Sequence, residues 1–150
     1  MVKKNQDDKH QPNKYFMLMK TEKTSLTISR TADDDVIFAE FRSRLKVDLL
    51  TAMQMVATRL DFTDNKKHYL IFDMSNVSTV TAEAKKFLQQ PEGGLKNILG
   101  AALIASNPVA ALIANVFIKT PKNFQAKFFY NKQDALDWIY LKKQTGISAI

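Results

Sequence analysis

A chain of 150 residues with 45% hydrophobic content carries enough apolar matter for one compact domain that buries roughly 70% of its unfolded surface, so it needs no covalent or metal staple. Cysteine is absent, which excludes disulfides and thiolate chemistry and makes a reducing cytoplasm the natural compartment. The net charge of +7 is spread over separated pairs, Lys66-Lys67, Lys85-Lys86 and Lys142-Lys143, and only Arg42, Arg44 and Arg59 lie near one another. Charge dispersed in this way describes a solvated surface, not the clustered footprint of a nucleic-acid binder.

The first residues, Met1 to His10, lack an apolar core for a secretory signal, and residues 1–13 read as a disordered polar tail. Tyr15 to Met19 is a short apolar run. Leu26, Ile28, Val36 and Phe38 then alternate with Thr27, Ser29 and Ile37 across the break Thr31 to Asp35, which predicts one or two antiparallel hairpins. The period then changes from two to 3.6: Leu49, Leu50, Met53, Val56, Ala57 and Leu60 share one face of a helix from Val47 to Phe62. After the turn Asp64-Asn65-Lys66-Lys67, the run His68 to Phe72 has the continuous apolar character of a strand covered on both faces.

Asp73 opens a polar turn that delivers the chain to a second helix. Thr81 is its N-cap, Glu83 complements the positive end of the helix, Ala84, Phe87 and Leu88 form its buried stripe, and Pro91 ends it. Leu95, Ile98 and Leu99 continue as a short helical piece, followed by a strand from Gly100 to Ala105. The uncharged run from Ile98 to Ile118 is long enough to span a bilayer as one helix. Ser106-Asn107-Pro108 interrupts it, with Asn107 suited to cap a new helix and Pro108 to open its first turn, so a strand and a helix are expected there and no membrane span. Phe124 to Tyr130 is the last strand. A final helix, opened by Asn131 and carrying Ala135, Leu136, Trp138, Ile139 and Leu141, closes with Lys142 and Lys143 before Gly146, leaving residues 146–150 as a tail. One α/β domain over residues 14–145 follows, with a mixed sheet of about five or six strands, an antiparallel hairpin first and parallel strands later, and about four or five helices.

Chemistry is sparse along this chain. The two histidines, His10 and His68, make no metal-binding pair, and His68 at the head of a buried strand suits a backbone partner better than a catalytic role. Gly93-Gly94 reads as a turn and matches no phosphate cradle, and no serine sits in a nucleophile elbow. Asp33 to Asp35 lacks the spaced oxygens of a calcium loop and falls where a hairpin must turn. No catalytic residue, metal or cofactor is assigned, and an enzyme built on Asp73 and Thr81 would lack a positioned base.

Two features are left. The junction from Asp73 to Lys85 places Asp73, Ser75, Ser78, Thr79, Thr81 and Lys85 around a helix start, where an anion, a phosphoryl group or a partner's carboxylate could be received; ordinary capping is the competing reading. The helix from Val109 to Ile118 has Asn115 as its sole polar residue, so it has to be covered on every side. A second copy of the chain is the most economical cover, and an apolar, lipid-like ligand beside Leu112, Val116 and Phe117 is the alternative.

The run Leu70-Ile71-Phe72-Asp73-Met74-Ser75-Asn76-Val77, followed by a turn and a helix, resembles the signature of the STAS domains, the anti-sigma-factor antagonist family: an apolar strand, then Asp-x-Ser-Gly-Val. The likeness extends over residues 14–144. Phe128-Phe129-Tyr130, Ala135 and Trp138-Ile139 are similar to a bacterial branch of that fold that is also similar to CRAL-TRIO lipid-transfer domains. The resemblance implies a STAS-like sheet and a non-enzymatic module that binds a regulatory protein. Regulatory members of the family are switched by phosphorylation of a serine, preceded by an aspartate, at the start of the helix after this strand; here those positions hold Ala82 and Thr81. Alanine accepts no phosphoryl group, so either Thr81 takes a modified role or the chain keeps the fold without the usual switch, and the second is the favoured reading. Asn76 stands where the family has glycine, which asparagine tolerates because it enters left-handed backbone conformations readily.

Overall fold

The structure, a computed structural model, describes residues 26–31, 33, 35–118 and 126–149. The polar tail and the Tyr15 to Met19 run lie outside the described residues, as do Phe124 and Gln125. In chain order the elements are β1 (Leu26–Arg30), β2 (Val36–Phe41), β3 (Leu45–Val47), α1 (Leu49–Phe62), β4 (His68–Asp73), β5 (Val77–Val80), α2 (Ala82–Leu88), β6 (Ile98–Ile104), α3 (Pro108–Ile118), β7 (Ala126–Phe129) and α4 (Lys132–Ala149).

β1 and β2 form the antiparallel hairpin, with Leu26 opposite Phe41 and Arg30 opposite Ile37. β4, β6 and β7 add in parallel, giving a five-stranded sheet in the order β1-β2-β4-β6-β7. Strands that step one way across a sheet through right-handed crossovers place their helices on one face. Accordingly Ala52 of α1, Ala84 of α2, and Ala110 and Ala114 of α3 share one core with Ile37, Ala39, Leu70 and Ala101. The alternate residues Val36, Phe38, Ile71, Ala102 and Ile104 face the other way, against Ala135 and Ile139 of α4. Period-two alternation thus feeds two cores from one sheet. Each fully buried aliphatic side chain such as Ile37, Ile71 or Ile139 contributes about 1.5–3 kcal/mol by leaving water.

Lys143 ties α4 to the β1–β2 turn: its ammonium lies 2.7 Å from a carboxylate oxygen of Asp33 and 2.7 Å from one of Asp35. The aspartates therefore serve the hairpin turn, with a lysine as their counter-ion. α4 runs through Gly146 to Ala149, beyond the end expected before Gly146. A glycine inside a helix costs about 1 kcal/mol relative to alanine, too little by itself to force a stop.

Three other local readings differ from the sequence expectation. A second, two-stranded sheet joins β3 to β5 in parallel: Val47 ends β3 instead of opening the helix, and β5 lies within the stretch after Asp73 that was expected to be a turn. The stretch Pro91 to Asn97 is a succession of turns, and Ile98 and Leu99 begin β6 instead of continuing a helix. On α1 the buried stripe is Ala52, Val56 and Arg59, continued by Thr63, whereas Leu50 and Met53 are 65% and 48% exposed. Both stripes obey the helical period; the one with small residues and the arginine faces inward because the turns after α2 supply acceptors for that arginine. No helix among the described residues is long and apolar enough to cross a membrane.

Candidate functional site

β4 carries a polar cluster at each end. At its carboxyl end, Asp73 accepts the Ser75 backbone N–H on Oδ1 at 2.9 Å, closing an Asx turn. The Met74 N–H donates to the Ile104 carbonyl at 2.7 Å. Ser75 Oγ and Ser106 Oγ are 2.8 Å apart, and the Ser106 N–H also donates to Ser75 Oγ at 3.3 Å. Asn107 completes the cluster: its amide donates to the Ser75 carbonyl at 2.9 Å while its Oδ1 accepts the Ala110 N–H at 2.8 Å, capping α3. The cluster therefore sits beyond the carboxyl ends of two adjacent parallel strands, where open α/β sheets place their sites. The first turns of α3 follow directly, with Val109 44% and Leu112 70% exposed.

The rest of the predicted junction is separated from this cluster by β5. Ser78 is half-buried and Thr79 exposed on that strand, whose four residues extend roughly 13 Å. Thr81 caps α2, accepting the Ala84 N–H on Oγ1 at 3.1 Å, and its own N–H donates to the Val47 carbonyl at 3.0 Å. Glu83 lies in the first turn of α2 and Lys85 in the last. Asp73 and Ser75 are thus brought together with Ser106 and Asn107, while Ser78, Thr79, Thr81 and Lys85 form a second locus. Asn76 does not use the left-handed region; its amide donates to the Phe41 carbonyl at 2.6 Å, and among the described residues the positive φ angles belong to Asp64, Asn65 and Asn97.

At the amino end of β4 the polar groups are shut inside. His68 is 1% exposed and Arg59 5% exposed. Arg59 Nη1–H donates to His68 Nε2 at 2.8 Å, so the ring proton is on Nδ1, which donates to the Lys66 carbonyl at 2.8 Å. Arg59 also donates from Nη1 to the Lys96 carbonyl and from Nη2 to the Gly94 carbonyl, each at 2.9 Å. Burial pushes the histidine down to about 4, with the Lys66 carbonyl opposing and the arginine's charge adding to the shift, and burial lowers the guanidinium to about 10. A neutral imidazole and a cation without a carboxylate partner among the described residues therefore occupy the base of α1.

Arg59 borders an underfilled layer between the sheet and the helices. A cavity of about 110 Å³ is walled by apolar side chains including Met55, Leu70, Phe72, Leu88, Leu103 and Ala101. A second, of about 60 Å³, shares Met55, Leu70, Phe72, Leu88 and Gly94 with the first and has Arg59 in its wall. No group of three His, Asp or Glu side chains gathers for a metal among the described residues.

Residues 30–143 match the family model described as Domain of unknown function (DUF7793). The chain belongs to this family. Among solved structures it is similar to a protein of the DUF3478 family with a SpoIIAA-like fold from Shewanella loihica PV-4, at 21% identity and a TM-score of 0.55, over 75% of this chain and 90% of that one. No curated protein matches the chain. The fold is therefore SpoIIAA-like, the STAS-like arrangement that the run from Leu70 to Val77 implies.

Within this SpoIIAA-like frame, Leu112 stands on the outer side of α3, and the side chains of Val116 and Phe117 lie outside the described residues. The apolar cavity is elsewhere, under α1 and α2. Sequence reasoning missed Arg59 as an interior residue, grouping it with Arg42 and Arg44, which are exposed. One signal pointed to it: Ala52, Val56, Arg59 and Thr63 follow each other at helical spacing, an apolar stripe ending in polar residues that face the head of β4.

Proposed function

We propose that this chain is a cytoplasmic, non-enzymatic interaction module that self-associates and contacts a regulatory protein through the carboxyl end of β4 and the start of α3. One observation carries the reading: Asn107 fastens the Asp73–Ser75–Ser106 cluster to a helix whose next residues, Val109 and Leu112, present apolar side chains to water. Apolar centres rimmed by hydrogen-bonding groups are the ordinary composition of protein contact surfaces. Ala82, at the start of α2, offers no hydroxyl where the STAS regulatory serine would stand, so association here proceeds without that switch. Size-exclusion chromatography with light scattering, together with affinity capture from lysate, tests the proposal. A monomer at micromolar concentration that captures no protein through this surface removes it, and phosphate located on Thr81 in protein taken from cells removes the switchless form.

A second reading, a carrier of a small apolar ligand, is favoured by the cavity under α1 and α2. Native mass spectrometry of gently purified protein tests it: no co-purifying ligand, and no uptake from a mixture of fatty acids and isoprenoids, counts against it.

A further inference from the structure

Arg59 is the least expected side chain of the interior. A guanidinium taken out of water loses much solvation free energy, and buried cations are ordinarily matched by a carboxylate. Here the three acceptors are two backbone carbonyls and a neutral imidazole. His68 supplies no negative charge, because its Nδ1–H is committed to the Lys66 carbonyl. The three bonds use three of the five N–H donors of a guanidinium, leaving Nε–H and one Nη2–H without an acceptor among the described residues. Arg59 is also part of the wall of the smaller cavity, which adjoins the larger apolar one through five shared residues. A fixed cation at one end and hydrocarbon walls along the remainder describe an amphipathic occupant with an anionic head.

We propose that this cavity takes a monocarboxylic acid with a compact apolar tail, the carboxylate received by Arg59 and the tail lying among Met55, Leu70, Phe72 and Leu88. The assignment rests on the carrier reading and adds to it the head-group chemistry and the residue that reads it. Carboxylate suits the position because its two oxygens match paired guanidinium donors, and a desolvated ion pair is stronger than one in water. The tail is short. An apolar cavity of about 150 Å³ holds benzene, and the two spaces here are about 110 and 60 Å³, so a phenyl group or a medium-length alkyl chain fits and a long-chain fatty acid does not.

Isothermal titration of the full chain at neutral pH with octanoate, 4-phenylbutyrate and octan-1-ol tests this. Octanoate is expected to bind one to one and at least tenfold more tightly than octan-1-ol. Ala101→Leu, which fills the larger space, is expected to weaken octanoate at least tenfold without lowering the melting temperature, and Arg59→Lys to erase most of the preference for the acid. Octan-1-ol binding as tightly as octanoate overturns the head-group assignment while the carrier reading stands. Failure of all three probes, with Ala101→Leu raising the melting temperature, overturns both and leaves the cavity a packing defect. Octanoate binding unchanged by Ala101→Leu places the ligand elsewhere and overturns the proposal. Should either variant fail to fold, the Arg59 Nε–H resonance of the unaltered protein decides: octanoate is expected to shift it, and an unmoved resonance at saturation overturns the assignment.

Discussion

At the amino end of β4, His68 and Arg59 turn their hydrogen bonds inward, to each other and to the carbonyls of Lys66, Gly94 and Lys96; at the carboxyl end of the same strand, Asp73, Ser75, Ser106 and Asn107 satisfy one another within reach of water. The two ends place polar groups in opposite surroundings, and the consequences differ accordingly. A buried partner cannot be replaced by water when it is lost, so the inward cluster governs stability and its dependence on pH. The outward cluster shapes a turn and a helix start, and losing one of its side chains is expected to cost less than losing a buried partner, because water can replace part of what is lost.

The sharpest break of this contrast is Arg59→Met. It strands two carbonyls and an imidazole nitrogen in the interior, and the expected loss is about 3 kcal/mol of unfolding free energy, read from the urea midpoint. Ser75→Ala at the other end is expected to cost under about 1 kcal/mol, because water replaces the lost hydroxyl contacts. Equal losses at the two ends would dissolve the distinction.

Acid should act on the inward end through His68. The folded protein holds this ring neutral down to about 4, against 6.5 for the free side chain. Above about 6.5 neither state binds the proton and the ring adds no pH dependence. As pH falls below that value the unfolded chain takes up the proton first and is favoured, so stability declines between about 6.5 and about 4 and levels off once the folded ring titrates too. Across that window the decline is about 3 kcal/mol, measured by urea unfolding at stepped pH. His68→Gln removes the titration and is expected to flatten the profile over the same range. An unchanged profile in that variant would assign the acid sensitivity to other groups. Smaller again is Asn107→Ala, which deletes the α3 cap and the bond to the Ser75 carbonyl and should cost about 1–2 kcal/mol.

The contrast between the two ends also explains what could be read from the residues alone. Strands covered on both faces, the caps at Thr81, Asn107 and Asn131, and the hairpin turn at Asp33 to Asp35 are local or periodic features, and each stands in the fold as expected. β3 and β5 were not legible because three and four residues are too few for a period, and their pairing joins segments distant in sequence. On α1 two stripes share the helical spacing, and the acceptors that hold Arg59 inside, from His68, Gly94 and Lys96, are tertiary neighbours. Asp73 and Ser75 were legible as the end of a strand. Their partners Ser106 and Asn107 follow the next parallel strand, and the register of β4 on β6 is a tertiary fact.

The smallest expected effect on stability is also the most direct test of what the outward end is for. Leu112 is 70% exposed on α3, so Leu112→Asp removes little buried area, and the unfolding free energy read from the urea midpoint should change by less than about 0.5 kcal/mol. If α3 forms the contact between copies, the same change introduces a carboxylate whose desolvation the interface cannot compensate, and the light-scattering mass should fall to that of a monomer. Thr79→Asp on the exposed face of β5 is the matched control, since it adds the same charge at the second locus and should leave the mass unchanged. If the mass falls only in the control, the contact surface belongs to β5 and the N-terminus of α2. If both variants keep the mass of the unaltered protein, α3 is an apolar face that plays no part in association, and the carboxyl end of β4 loses its apolar half.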